Sequence, residues 1–164
     1  MFSIRNYRPT DWPVVDAIYL EGIRTGVATF ETQPKSEKSW SQTSVQRSQL
    51  VAASRDDTVL GWAVLWPVSD RCAYAGVAEV SVYVAATARG KGVGKSLLAA
   101  LVTRSEELGI WTLQAGIFEE NVASIRLHET CGFRIIGVRE RLGALRGIWK
   151  NIVLMERRST VVGT

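Results

Sequence analysis

The stretch that most constrains this chain is Arg89-Gly-Lys-Gly-Val-Gly-Lys-Ser96, in which glycines alternate with larger residues between a strand-like run and a helix-like run. A tight strand-to-helix turn uses glycine for its backbone freedom, and that alone accounts for part of the pattern. Alternating glycines also let successive peptide N–H groups turn inward with no Cβ in the way. A helix N-terminus then adds unpaired donors and partial positive charge, which is what a phosphate requires. Spacing separates the phosphate-binding turns. The P-loop pattern ends correctly at Gly94-Lys95-Ser96, but Arg89 stands where its first glycine belongs. The dinucleotide pattern G-x-G-x-x-G fails because its third glycine falls on Lys95. What is present is R-x-x-G-x-G, from Arg89, Gly92 and Gly94.

The periodicities around this turn predict one domain. Phe2, Ile4 and Tyr7 begin a strand, and Thr10, Asp11 and Pro13 start a helix that ends near Gly26. Ala28–Glu31 reads as an extended piece, and a polar helix is expected over 36–48. Strands follow over 50–53, 58–66 and 75–84, as a meander with a loop over 67–73. Leu97, Leu98, Leu101, Val102 and Leu108 have helical spacing and stop at Gly109. A strand over 111–117, a helix over 121–130 closed by Gly132, and strands over 133–138 and 148–156 complete the chain. The expected fold class is α/β, or α+β: a mixed, mostly antiparallel sheet with helices on both faces. The last few residues read as a disordered tail.

Composition removes other classes. A chain of 164 residues buries enough surface to need no disulfide scaffold. Cys72 and Cys131 form no CxxC pair, and the single histidine leaves too few soft ligands for zinc; only a metal held by carboxylates stays open. No metal is expected. The N-terminus is charged where a signal peptide would be apolar, and no apolar run has membrane-spanning length, so the chain reads as cytoplasmic. The net charge of +4 suits an anionic partner or merely a soluble surface. Its basic residues are dispersed, which argues against a nucleic-acid binder.

A second segment, Asn121-Val-Ala-Ser-Ile-Arg-Leu-His-Glu-Thr-Cys-Gly-Phe133, has the form N-x-x-[AS]-x-x-L-x-x-x-x-G-F. With R-x-x-G-x-G before it, the chain resembles the GCN5-related N-acetyltransferases along nearly its whole length. Ala28-Thr-Phe-Glu31, Gly61-Trp-Ala63, Arg71-x-x-Tyr74, Glu79-x-Ser-Val-Tyr-Val84 and Leu127-His-Glu129 resemble the phosphinothricin and methionine sulfoximine acetyltransferases within that superfamily. The group's G-R-W-x-D-like element is Arg146-Gly-Ile-Trp-Lys-Asn151 here, with Asn151 replacing aspartate.

The resemblance implies acetyl-CoA as co-substrate, a small amino-acid-like acceptor and a homodimer. Backbone groups of Val82, Tyr83 and Val84 would lie along the pantetheine arm. Arg89 and the backbone of Gly90, Lys91, Gly92, Val93, Gly94 and Lys95 would hold the pyrophosphate. Asn121 would add a side-chain contact, and Ser124 and His128 share its helix stripe at offsets of 3 and 7. Acetylating an amine requires its neutral form, so a base must be near. Glu79 is the only carboxylate in a mostly apolar strand, on one face with Ser81 and Tyr83, and is either an ion-paired edge residue or that base. His128 stands where many relatives place a tyrosine and is a structural residue, a general acid or a partner of Glu79 in deprotonation. Arg71 and Tyr74 match the group's substrate loop, where a guanidinium could pair with a carboxylate or phosphinate. Phe30 either walls that pocket or packs in the core.

The alternatives are acetylation of another small amine or a protein N-terminus, and a non-catalytic CoA-binding module.

Overall fold

The computed structural model describes residues Met1–Thr164. Seven strands form one sheet: β1 (Phe2–Asn6), β2 (Leu50–Ser54), β3 (Val59–Pro67), β4 (Val77–Val84), β5 (Thr112–Phe118), β6 (Arg134–Leu145) and β7 (Ile148–Arg158). Four α-helices join them: α1 (Trp12–Arg24), α2 (Glu37–Thr43), α3 (Val93–Glu107) and α4 (Val122–Thr130). The spatial order is β1-β2-β3-β4-β5-β7-β6. Every neighbouring pair is antiparallel except β4 and β5, which run parallel. The expected mixed, mostly antiparallel sheet is what forms.

Alternation along the strands supplies two buried faces. On one, Leu97, Leu98 and Leu101 of α3 cover Ala78 and Val80 of β4 and Leu113, Ala115 and Ile117 of β5. On the other, Val15, Ile18, Tyr19 and Ile23 of α1 and Trp40 of α2 cover Val51, Trp62 and Val64. Tyr83 stacks on Trp62 at 4.7 Å and meets Tyr19 edge-on at 5.0 Å. Helices therefore lie on both faces, and β4 turns Glu79, Ser81 and Tyr83 to the α1 side as its period predicts.

Four expectations change. The residues 28–31 form a bent loop with no strand pairing, entered after Gly26 turns the chain at φ 70°. The second helix is much shorter than expected: Ser36 caps it and Ser44 leaves the helical region, while only Trp40 anchors it in the core. The β6 strand is longer than expected because Arg146 and Gly147, both at positive φ, close a two-residue hairpin onto β7. The C-terminal residues are no loose tail. Ser159 Oγ accepts from the N–H groups of Val161 and Val162, and the Arg158 guanidinium donates to the Val162 carbonyl at 3.1 Å.

Candidate active site

The parallel pairing of β4 with β5 covers only Val77–Glu79 against Thr112–Gln114. Both strands continue, β4 to Val84 and β5 to Phe118, without pairing with each other. Beyond Glu79 the sheet is split. The Ala85 N–H donates to the Leu60 carbonyl, on the β3 side. In an unbroken antiparallel ladder the direction alternates residue by residue, so the peptide groups of Val80, Val82 and Val84 face the split. Those of Tyr83 face β3 and are spent there. A donor aimed into the split thus belongs to the valines beside Tyr83, not to Tyr83.

One end of the split is the glycine-rich turn. Gly90 and Gly92 sit at φ 73° and 81°, a region closed to most side chains, and a Cβ at either would meet no other atom of the protein. Gly92 takes the N-cap position of α3 with no capping side chain. The first intrahelical bond there runs from Ser96 N–H to the Gly92 carbonyl, and no backbone N–H from 90 to 95 has an acceptor within the chain. That row of free donors at the positive end of a helix is an anion cradle. The Arg89 guanidinium donates to the Val84 carbonyl at 3.3 Å and ties the turn to the end of β4. Lys91 folds back to donate to the Thr87 carbonyl at 2.8 Å, and its side chain stays outside the cleft.

The split continues as a cleft of about 800 Å³, lined by β4, β5, the start of α3, α4 and the 27–31 loop. Glu79 and His128 both line it, as do Val82, Tyr83, Val84, Arg89, Lys95, Asn121, Ser124 and Phe30. Water reaches Glu79 through the open mouth, while protein surrounds its remaining sides. That partial desolvation raises its carboxyl above the usual range. The Gln114 amide at 3.5 Å and the positive field of Arg139 oppose the rise. The phenol of Tyr83 is pushed up by burial, then by Tyr19, and stays neutral.

His128 is buried, and its ring meets Phe133 edge-on at 5.1 Å. Nδ1 lies 2.7 Å from the Ser124 carbonyl, which can only accept, so Nδ1 carries the proton. Burial lowers the imidazole's pKa despite that bond. At neutral pH the ring is therefore uncharged and Nε2 is a proton acceptor. Asn121 caps α4 by accepting from Ser124 N–H at 3.2 Å and donates to the Val27 carbonyl at 3.2 Å. Its amide joins the cleft wall to the 27–31 loop. Phe30 is a wall: it meets Phe118 edge-on at 4.7 Å and reaches over Gly143 of β6.

The structure leaves Arg71 and Tyr74 outside this cleft. They lie exposed on a short 3-10 turn before β4, with the guanidinium stacked 5.4 Å from the ring centre. Sequence reasoning missed Gln114, Arg139 and Leu142, all of which line the cleft. Gln114 had a signal, being the one polar side chain between Leu113 and Phe118. Arg139 and Leu142 had none, because strand β6 was expected to end at Val138.

A sheet that parts between parallel strands, with an anion cradle at one end and a carboxylate of raised pKa at the other, defines a group-transfer enzyme. The chain matches the acetyltransferase (GNAT) family over residues 10–133. It is 37% identical over 161 residues to a phosphinothricin N-acetyltransferase of Alcaligenes faecalis, covering 94% of this chain and 81% of that protein. It is 33% identical to an L-methionine sulfoximine/L-methionine sulfone acetyltransferase of Pseudomonas aeruginosa, covering 94% and 92%. A phosphinothricin acetyltransferase from Sinorhizobium meliloti, solved in complex with AcCoA, superposes with a TM-score of 0.89 at 31% identity, covering 99% of this chain and 90% of that one. The protein belongs to the GNAT family and is an N-acetyltransferase.

Proposed function

We propose that the protein transfers the acetyl group of acetyl-CoA directly, within a ternary complex, to the α-amino group of amino acids of the phosphinothricin and methionine sulfoximine type. Such a reaction would detoxify them and confer resistance. The observation that carries this reading is the sheet splitting immediately beyond Glu79, with undonated N–H groups of 90–95 at the far end of the opening. These residues fit the co-substrate, since the cradle offers donors and open space for a pyrophosphate and Val82 and Val84 offer peptide groups for an extended amide-bearing arm. Bound there, acetyl-CoA supplies an activated thioester carbonyl.

The chain's own groups do the rest. An amine with a pKa above 7 reaches its reactive form at about 1.4 kcal/mol per unit, so the site gains by removing the proton locally. Glu79 holds the ammonium and takes that proton, directly or through water. A carboxylate with raised pKa is the better base for it. His128, neutral with Nε2 free, is suited to accept a proton rather than to donate one. A valine N–H in the split is placed to meet charge that develops on the carbonyl oxygen. No metal enters this scheme.

A homodimer in the cytoplasm belongs to the same reading. The edge strand β6 leaves Ile135, Ile136, Val138 and Leu142 half exposed, and Ile148 and Trp149 of β7 are more exposed still, which supports self-association through this end.

The test is thiol release from acetyl-CoA with a panel of amines. Turnover of phosphinothricin or methionine sulfoximine above other small amines and peptide N-termini is expected; no turnover of any amino-acid analogue rejects the acceptor assignment. Mass spectrometry of the purified protein for CoA checks the co-substrate separately.

A further inference from the structure

Most glycines of the chain are accounted for by their backbone or by their neighbours. Gly90 and Gly92 sit at positive φ, and Gly22, Gly61, Gly76 and Gly143 each have another atom within 3.0 Å of where a Cβ would stand. Gly116, in the middle of β5, has neither reason. Its φ is not positive, and within 4 Å a Cβ there would meet a single atom, Ile152 Cγ2 at 3.3 Å. Yet Gly116 is exposed between the buried Ala115 and Ile117, and it lines the cleft. Glycine weakens a strand interior, and where the backbone does not demand it, it marks a place that another molecule approaches closely.

The register says which molecule. Leu113, Ala115 and Ile117 face α3, so Gln114, Gly116 and Phe118 face the other way, and Gln114 is level with Glu79. Gly116 therefore opens on the face of the sheet that carries the Glu79 carboxylate. At the rise of a strand it stands about 7 Å, and Phe118 about 13 Å, along β5 from the Glu79 level. Across β7, Leu154 pairs with Gly116 and Ile152 with Phe118, and both line the cleft. The surface thus passes from polar at Gln114 to apolar at Phe118, where the Phe30 ring closes it at 4.7 Å. An extended amino acid of methionine length measures about 7 Å from its nitrogen to the end of its side chain. With the ammonium at Glu79, such a side chain runs over Gly116 toward the two phenylalanines.

We propose that Gly116 is a specificity-determining residue for the acceptor: the space where its Cβ would stand admits the acceptor's side chain onto the sheet. The inference rests on the amino-acid reading above and deepens it, since it makes side-chain length a property that the site selects.

The experiment measures kcat/KM for L-alanine, L-2-aminobutyrate, L-norvaline and L-methionine sulfone with acetyl-CoA, in the native protein and in Gly116→Ala and Gly116→Val. In the native enzyme kcat/KM is expected to rise along the series. One added carbon in such a pocket is worth about 10–200-fold, so the ratio of methionine sulfone to alanine should fall about 10-fold in Gly116→Ala and about 100-fold in Gly116→Val, with the KM of acetyl-CoA unchanged. A ratio taken within one preparation does not depend on the fraction folded, so a destabilised variant still reports. If every acceptor loses equally, the glycine serves only the packing of β5 against Ile152, and the proposal is overturned. A rise in the KM of acetyl-CoA with the ratio intact gives the space to the co-substrate and overturns it too, as does an unchanged ratio in both variants. Should the native enzyme acetylate none of the series, the amino-acid reading fails and this inference with it; native turnover with no dependence on length rejects the inference alone.

Discussion

The two ends of the cleft are built in opposite ways. The cradle end comes from one continuous stretch, 82–95, and acts through backbone: peptide groups of Val82 and Val84, then the free N–H groups of 90–95. The acceptor end is assembled from side chains far apart in sequence, Phe30, Glu79, Gln114, Arg139 and Leu142, delivered by a loop and three strands. A backbone site tolerates side-chain drift but not a change in φ. A side-chain site can be re-specified by single substitutions while the co-substrate end stays intact. Mutations at the two ends should therefore separate cleanly in kinetics.

The largest effect is expected from Glu79→Gln. Loss of a positioned base costs about 10²–10⁴-fold in rate, and kcat should fall within that range while the KM of acetyl-CoA changes less than two-fold. If Glu79 is the base, activity in the native enzyme is expected to rise with pH as its carboxyl loses its proton. Because desolvation raises that carboxyl, the limb lies above the ordinary carboxylate range. His128, whose imidazole is shifted down, is already neutral by physiological pH and adds only to the acid side of the profile. The Gln variant should lack the Glu79 limb. Retention of full turnover would remove Glu79 from the chemistry.

Next is Gly92→Ala, aimed at the other end. At φ 81° the alanine costs about 1 kcal/mol of backbone strain and turns adjacent N–H groups away from the cradle. Hydrogen bonds to a charged group are worth about 1.5–3 kcal/mol each, so the KM of acetyl-CoA should rise about 10–100-fold. The acceptor's KM should hold. An equal rise in both would mean that the ends are not independent.

This division also explains what was legible in the sequence. Strand and helix periods around 75–108 lie within single elements, so β4, the turn, α3 and the Glu79 face could all be read from spacing. Asn121, Ser124 and His128 were likewise legible as one helix stripe, and all three line the cleft. The splitting of β4 from β5 was not, since it depends on where β5 pairs with β7, a contact between distant segments. The part that β6 plays in lining the cleft went unread for the same reason. Arg71 lies near Glu79 in sequence but leaves the sheet on a turn, whereas Arg139 arrives through a hairpin whose length hinged on the positive φ of Arg146 and Gly147.

The smallest expected effect tests how the acceptor end is held. Asn151 accepts from Arg141 N–H and donates to Glu119, two tasks that an ionised aspartate cannot share. Asn151→Asp should place two carboxylates 2.9 Å apart, loosen the bulge that carries Arg139 and Leu142, and raise the acceptor's KM several-fold at pH 8 with acetyl-CoA binding unchanged. Lowering the pH, which lets the two carboxylates share a proton, should recover part of the loss. The double variant Asn151→Asp with Glu119→Gln reverses the polarity of that bond, since the new amide can donate to the new carboxylate while Arg141 keeps its acceptor. Recovery of the native KM in the double variant would place the effect in this clamp. A double variant no better than Asn151→Asp would show that the bulge is held by the hairpin alone and that residue 151 has no part in positioning the acceptor.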